Sequence, residues 1–398
     1  MRVRSILQDF VGQKLATAGL RSTKINAVLD MTHALLNKSY LTVTSLGEHC
    51  NGATKVKHKI KRVDRWLGNP GLYDSLINAY NGIFNDFLMA RMSLDILVDW
   101  SGCCNWHECC IRASVVCSGR SITIYQEVHP SSTQQKLEVH RSFLNNLRKI
   151  IPQECNVTII TDRGFQMNWF EMVSDMGWDF IGRANQHYCY QADGTTKWEQ
   201  VQDLYKKAST RPRFIGGGFL GKNRRVSAFI HTYKAKQKKR KDKRTRSKVA
   251  YPHLERMYST QNKTPWVIVT SHPPTSRDSK RIMNDYHRRM QIEQNFRDDK
   301  SERFGYGFRF GRTRSVKRIS ILLFIAAICS FLLMVIGAAA EESKLHWSFQ
   351  ANSIKNRRVL SYLTLAKRIL RHCIDKISRS QIEEGFKALC REPQLCLI

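Results

Sequence analysis

Val157-Thr-Ile-Ile-Thr-Asp162-Arg-Gly164 is an apolar run of strand length that ends in a carboxylate and a turn. The same arrangement occurs once earlier, in Asp95-Ile-Leu-Val-Asp99-Trp. Between the two, Ile111-Arg-Ala-Ser-Val-Val-Cys and Ser121-Ile-Thr-Ile-Tyr-Gln-Glu-Val, separated by Gly119-Arg, read as antiparallel partners. A helix is expected from about Lys136 to Ile151 and another from Trp169 to Met176, followed by a strand at Phe180-Ile-Gly-Arg183. Three hairpin strands, a helix, a strand, a helix and a strand describe an α/β domain with a mixed sheet.

Outward from this centre the character of the chain changes. The first ninety residues read as helical and basic. Thr23 to Leu36 carries Ile25, Val28, Leu29, Met31, Leu35 and Leu36 at helical spacing. A second helix, Ala53 to Leu67, sets Val56, Ile60, Val63 and Leu67 on one face and Lys55, Lys59 and Arg62 among the cations of the rest, and Gly68-Asn-Pro closes it. Short helices joined by a turn, the last one basic, resemble a DNA-reading module; a solvated face on an ordinary helix is the other reading. Between Asn185 and Thr270 short strands alternate with glycine turns, and Lys234 to Lys248 holds ten Lys or Arg in fifteen residues. Such a block self-repels and belongs on the surface, where it lowers the cost of approaching phosphates. Ile319 to Ala340 has no charge and is long enough to span a bilayer, or to be a helix buried on all sides.

The chain has 398 residues, with 65 Lys+Arg against 33 Asp+Glu and a formal charge of +32. It is too long for one core, since cores stop growing near roughly 250–300 residues. A composition of 42% apolar and 25% charged residues excludes wholesale disorder and collagen-like repeats. The positive excess argues against an enzyme of small metabolites and for a polyanionic partner, nucleic acid or an anionic membrane surface. The basic start has no uninterrupted apolar stretch, so no secretory signal is expected, and the twelve cysteines are expected to be reduced in a cytoplasmic protein. Cys103-Cys104-Asn-Trp-His107-Glu-Cys109-Cys110 holds soft ligands, but adjacent Cys pairs lack the usual zinc spacing, and the segment falls where a hairpin turn is expected.

Arg277 to Arg303 reads as one long helix. Tyr286, Arg289, Glu293 and Lys300 stand at offsets 0, 3, 7 and 14, within an arc of roughly 60° on an ideal helix. One stripe would then present a phenol, a guanidinium, a carboxylate and an ammonium. Three of these suit phosphate oxygens and the fourth a hard divalent cation. Asp99 and Asp162 close apolar strands, where a carboxylate is costly unless it binds metal or accepts hydrogen bonds. With Glu293 they supply three oxygen ligands, enough to hold two Mg²⁺ ions about 3.5–4 Å apart. Asp95 begins its strand instead of ending it and ranks behind Asp99.

Tyr286-x2-Arg289-x3-Glu293-x6-Lys300 resembles the signature of the Tyr-Arg-Glu-Lys group of bacterial DDE transposases, the insertion-sequence-four family. Leu97-Val-Asp99-Trp-Ser and Thr161-Asp162-Arg-Gly-Phe are similar to its first two acidic motifs, and Tyr286 to Asp298 resembles especially the insertion-sequence-ten-like members. The resemblance runs from about His33 to Leu370. It implies an RNase H-like mixed-sheet core, residues 91–184 and 273–345, interrupted by a mostly β insertion domain at 185–272. Residues 1–90 would be a helical DNA-binding region and 346–398 a helical dimerisation region. Asp99, Asp162 and Glu293 would be the catalytic, metal-binding triad for Mg²⁺, with Mn²⁺ as a substitute. Tyr286, Arg289 and Lys300 would grip phosphates, Trp266 would stack on a flipped base, and Arg183 would contact a phosphate.

The apolar segment would then be a core helix and not a membrane span. The partners implied are double-stranded DNA, at element ends and target, and a second copy of the chain in a paired-end complex, in a bacterial cytoplasm at the nucleoid. The implied activity is cut-and-paste transposition. Its rivals are an RNase H-like endonuclease without strand transfer, which would not need the Tyr-Arg-Glu-Lys stripe, and a non-catalytic basic DNA-binding protein, which would not need Asp99.

Overall fold

A computed structural model describes residues 5, 8–37, 39–104, 107–223, 225–235, 264–351, 353–372 and 377–391. Nearly all of the basic block Lys234–Lys248 lies outside these residues. The chain packs as two compact units. The first comprises Met1–Asn156 with Met290–Leu397, and the second Val157–Arg289.

The first unit begins with α1 (Gln13–Thr17), α2 (Ser22–Leu36), α3 (Val43–His49), α4 (Val56–Leu67), α5 (Pro70–Asp74) and α6 (Leu76–Met89). Thr42 caps α3 by accepting from the Ser45 N–H, and Asn69 caps α5 just ahead of Pro70. Helices α3 and α4 cross closely: a Cβ on Gly47 would fall 2.6 Å from Ile60 Cα, so no larger residue fits there. The expected helix at Ala53–Leu67 starts later, at Val56. Val56 is 50% exposed instead of joining the apolar face, because it occupies the first helical position, while Val63 and Leu67 are buried. Lys55, Lys57, His58, Lys61 and Arg65 stay in solvent.

Then follow β1 (Ser93–Gly102), β2 (Glu108–Val115) and β3 (Ile122–Pro130), an antiparallel meander in the order β3-β2-β1, and α7 (Leu137–Arg148). Strand β1 does not stop at Asp99 as expected. It continues through Trp100, Ser101 and Gly102, which pair with Ile111, Cys110 and Cys109, so Asp99 stands inside the strand opposite Arg112.

The second unit contains β4 (Asn156–Thr161), α8 (Met167–Asp175), β5 (Asp179–Arg183), β6 (Cys189–Ala192), β7 (Trp198–Gln200), β8 (Arg213–Leu220), β9 (Val226–Tyr233), β10 (Trp266–Thr270) and α9 (Ser279–His287). Its strands run in the order β4-β5-β10-β9-β8-β6-β7. Only β4 and β5 pair in parallel among these, joined through α8 as a parallel crossover requires. Asp162 follows the last residue of β4 directly.

The chain returns to the first unit with α10 (Met290–Lys300), α11 (Val316–Glu342), α12 (Tyr362–His372) and α13 (Arg379–Cys390). Helix α11 is long and apolar enough to cross a membrane, with a mean hydropathy of 3.0 over eighteen residues, yet that window is 94% buried within the protein. Helices α2, α12 and α13 and strand β3 pack around it. A helix apolar on every side needs such cover on every side. Gly385 of α13 lets the backbones meet, since a Cβ there would lie 2.5 Å from Ala339 N. Tyr80, Phe84 and Phe87 of α6 complete this core against Phe324 and Phe331.

Candidate active site

In the first unit the site grows from one face of the β1–β2 ladder. Alternation along a strand sends Asp99 and Ser101 to the same side, and residues directly opposite share that side, which adds Arg112 and Cys110. The Asp99 carboxylate is oriented by its own strand, accepting the Trp100 N–H at 2.8 Å. Trp100 points the other way and donates its indole N–H to His140 Nε2 on α7 at 3.1 Å. Burial pushes the His140 imidazolium down to about 4, with His129 adding to the effect, so the ring stays a neutral acceptor.

Helix α10 lies on the Asp99 side, held by a series of polar contacts to the β2–β3 hairpin. Gln291 Nε2 donates to Cys117 O at 2.9 Å, and Asn295 Nδ2 donates to Ser121 O at 2.9 Å. Arg120 pairs with Asp298 at 2.9 Å and Arg112 with Asp299 at 2.5 Å, and both acids are buried. The Arg112 guanidinium also lies 4.4 Å from the centre of the Phe296 ring. Burial pushes the Asp299 carboxyl up, and the Arg112 charge opposes it. Lys300 Nζ donates to Ser101 Oγ at 2.7 Å. Phe296 and Lys300 therefore define the stripe of α10 that meets β1 and β2. Glu293, one turn before Phe296 on the same stripe, is exposed.

The second unit brings together most of the remaining candidates. The Asp162 carboxylate accepts the Gly164 N–H at 2.7 Å, a turn that holds it at the end of β4. Trp266 opens β10, and the Tyr286 ring meets it edge-on at 5.3 Å, with His287 at 4.9 Å. The Arg183 guanidinium lies 5.7 Å from the Trp266 ring and Arg289 5.9 Å from the Tyr286 ring. Burial raises the Tyr286 phenol, Arg289 and Arg183 oppose that, and Asp162 adds to it, so carboxylate and cations all bear on one phenol. Burial lowers Arg183, and the nearby charges of Arg163 and Arg289 push the same way. Cations gathered like this favour an anionic ligand.

The single long helix expected at Arg277–Arg303 is two. Helix α9 ends at His287 and α10 starts at Met290, with Arg288 and Arg289 in a turn. Arg289 N bonds to Tyr286 O, an i→i−3 contact that tightens the last turn and ends the α-helical ladder. The four-residue stripe is therefore divided: Tyr286 and Arg289 belong to the second unit, Glu293 and Lys300 to the first. Tyr286 is not presented outward but is 4% exposed, packed against Trp266. Asp95 sits near the opposite end of β1 from the Lys300 contact. Sequence reasoning passed over Ser101, Arg112, Arg120, Asp298 and Asp299. Two adjacent acids at the end of α10 are the available signal, but their partners lie more than 170 residues away.

Among the described residues, no three or more His, Cys, Asp or Glu side chains lie close enough together to hold a metal ion. Taken singly, Asp99, Asp162 and Glu293 are oxygen donors of the kind a hard cation takes: each aspartate accepts one backbone N–H, and Glu293 reaches solvent. In the cysteine turn burial pushes Cys104 and Cys109 up to about 11 and Cys110 up to about 12, so without a metal these are neutral thiols.

Residues 99–332, more than half of the chain, match the family described as the transposase DDE domain. No curated protein sequence matches the chain.

Proposed function

The chain belongs to the DDE transposase family, and from that premise we propose that it is a cut-and-paste transposase of the insertion-sequence-four type, acting on the ends of its own element. The observation that carries this reading is the extent of the family match, which begins on Asp99 and encloses Asp162 and Glu293. The three carboxylates would hold divalent cations, Mg²⁺ or Mn²⁺, whose chemistry is to activate an attacking oxygen and stabilise a leaving one.

The reaction is a series of in-line phosphoryl transfers. Water attacks one strand at the element end and frees a 3′-hydroxyl. That hydroxyl attacks the opposite strand and displaces the flanking DNA, leaving a hairpin. A second water opens the hairpin, and the regenerated 3′-hydroxyl attacks target DNA. In such transfers the protein contributes position and charge more than covalent chemistry. Lys300 would neutralise a phosphate near Asp99, while Arg183 and Arg289 would hold the strand that passes Trp266. A base turned out of the duplex would stack on that indole, relieving the tight bend of the hairpin.

Residues 91–184 and 273–345 would form the RNase H-like core, with 185–272 as its β-rich insertion. The exposed cations of α4 support a role for residues 1–90 in gripping the element end. Two ends must be joined at once, so a second copy is required. Pairing would use faces of α12 and α13 turned away from α11, since their apolar faces already pack on it. The protein would work in the cytoplasm, on nucleoid DNA.

The test is incubation with Mg²⁺ and DNA carrying candidate element ends, comparing the natural chain with Glu293→Ala. Nicks, hairpins and joined products from the natural chain alone are expected. Equal DNA binding by both with no cutting by either overturns the catalytic reading. Nicks without hairpins or joining assign the chain to the endonucleases.

A further inference from the structure

We propose that Ser101 is a positioning residue for Lys300: its hydroxyl pins the ammonium beside Asp99, so that the cation is held for a phosphate oxygen at that carboxylate. This rests on the transposase reading and adds to it a residue outside the Tyr-Arg-Glu-Lys pattern.

The argument starts from the strand. Asp99 and Ser101 are two apart in β1 and project to the same side, about 6.6 Å from each other along the strand. Lys300 is the last residue of α10, and Nζ meets Ser101 Oγ at 2.7 Å. A lysine side chain is long and has many rotamers, so one fixed contact at its tip removes most of that freedom. The anchor is firm because β1 is paired on that side with β2, and Ser101 stands opposite Cys110.

The nature of the partner matters as much as its place. Burial lowers Lys300; its ammonium donates to the Ser101 hydroxyl, lies 6.0 Å from the Phe296 ring, and is acted on by the buried thiols of Cys103 and Cys110 and by the Arg112 and Asp299 charges. Those thiols are held neutral by their own burial. The neighbouring carboxylate, Asp299, is engaged by Arg112 on β2. A hydroxyl accepts a hydrogen bond from the ammonium without cancelling its charge, whereas a carboxylate at the same point would neutralise it. Arg112, stacked on Phe296 one turn earlier, keeps the end of α10 over the strand. The structure thus separates two tasks: Asp299 and Arg112 fix the helix, and Ser101 fixes the free cation.

The test uses the full chain and two readouts. In the DNA-free protein, acetylation of Lys300 at limiting reagent is followed by mass spectrometry, with all other lysines as internal controls for folding. Ser101→Ala is expected to speed labelling of Lys300 several-fold and leave the others unchanged, and Ser101→Thr to restore protection. With element-end DNA, Ser101→Ala is expected to slow cleavage roughly tenfold, the scale of one charge-assisted hydrogen bond. In a Lys300→Met background the same change is expected to cost nothing further. Unchanged labelling in Ser101→Ala, or additive losses in the double variant, overturns the proposal. If the natural chain itself leaves DNA uncut, the transposase reading fails and takes this role with it, whatever the labelling.

Discussion

Helices α9 and α10 are separated by two residues, and each buries acids, yet they satisfy them in opposite ways. In α9, Asp285 is 1% exposed and is surrounded by Arg277 at 3.0 Å, Arg288 at 3.7 Å and Arg281 at 3.8 Å, all from the same short stretch of chain. In α10, Asp298 and Asp299 reach Arg120 and Arg112 on a hairpin far away in sequence. Local partners leave α9 with the strands of the second unit, and distant partners fasten α10 to the first. A buried charge must be paired somewhere, and where its partner sits decides which body the helix joins.

This contrast can be broken or sharpened, the largest expected effect coming first. Glu293→Gln on α10 removes one of the three carboxylates, and a loss of cleavage of about a thousandfold or more is expected with DNA affinity kept. Tyr286→Phe on α9 is expected to be far milder, because the buried phenol lies under Trp266. Single-turnover nicking rates compare the two, and equal losses would erase the functional difference between the helices.

Asp299→Ala leaves Arg112 buried without its carboxylate and is expected to cost about 3–5 kcal/mol of stability. Asp285→Asn should cost less, roughly 1–3 kcal/mol, because Arg281 and Arg288 reach solvent. Urea midpoints measure both, and the reverse order would mean that local pairing is the stronger clamp.

Acid probes both units at once. Burial holds His140 in the first and His231 in the second at about 4. Each ring is neutral in the fold, while the unfolded chain takes up a proton near pH 6.5. The unfolded state therefore binds more protons below that pH, and stability present at pH 7 is lost as pH falls toward 4. By pH 5 each ring is expected to cost about 2 kcal/mol. His140→Gln, which keeps an acceptor for Trp100, should flatten the first unit's share of this slope in denaturation curves taken from pH 7 to pH 5. An unaltered slope would show that the ring takes up its proton in the fold as readily as in the unfolded chain, and that burial does not hold it neutral.

The smallest effect is expected at Trp266→Ala. One base–aromatic stack contributes about 1–3 kcal/mol. Hairpin formation should therefore slow about tenfold or more while the first nick persists, as read on denaturing gels. An equal loss at the first nick would make Trp266 a packing residue for Tyr286 alone.

Much of this was legible beforehand. The run of hairpin strands, helix, strand, helix and strand was readable because alternation and helical spacing are written within a few residues. The helix over Ser22–Leu36 and the strand at Asp179–Arg183 lie where periodicity placed them. The end of β1 is not legible in sequence: Asp99 has the character of a terminus, whereas pairing to β2 carries the strand three residues further. Ser101 is silent for a related reason: nothing in Trp100-Ser101-Gly102 signals a lysine 199 residues away.

By itself the sequence determined the charge that calls for a polyanion, the alternation of strands and helices, the three carboxylates and the length of the apolar helix. These depend on composition and on bond geometry repeated over short spans. Tertiary structure decided where the Arg277–Arg303 segment breaks, that Tyr286 is packed under Trp266, that α11 is covered by helices, and that Lys300 meets a hydroxyl. Each of those outcomes turns on how a desolvated group is satisfied by partners from other elements. Desolvation depends on what surrounds a residue in space, and no pattern confined to neighbouring residues carries that information.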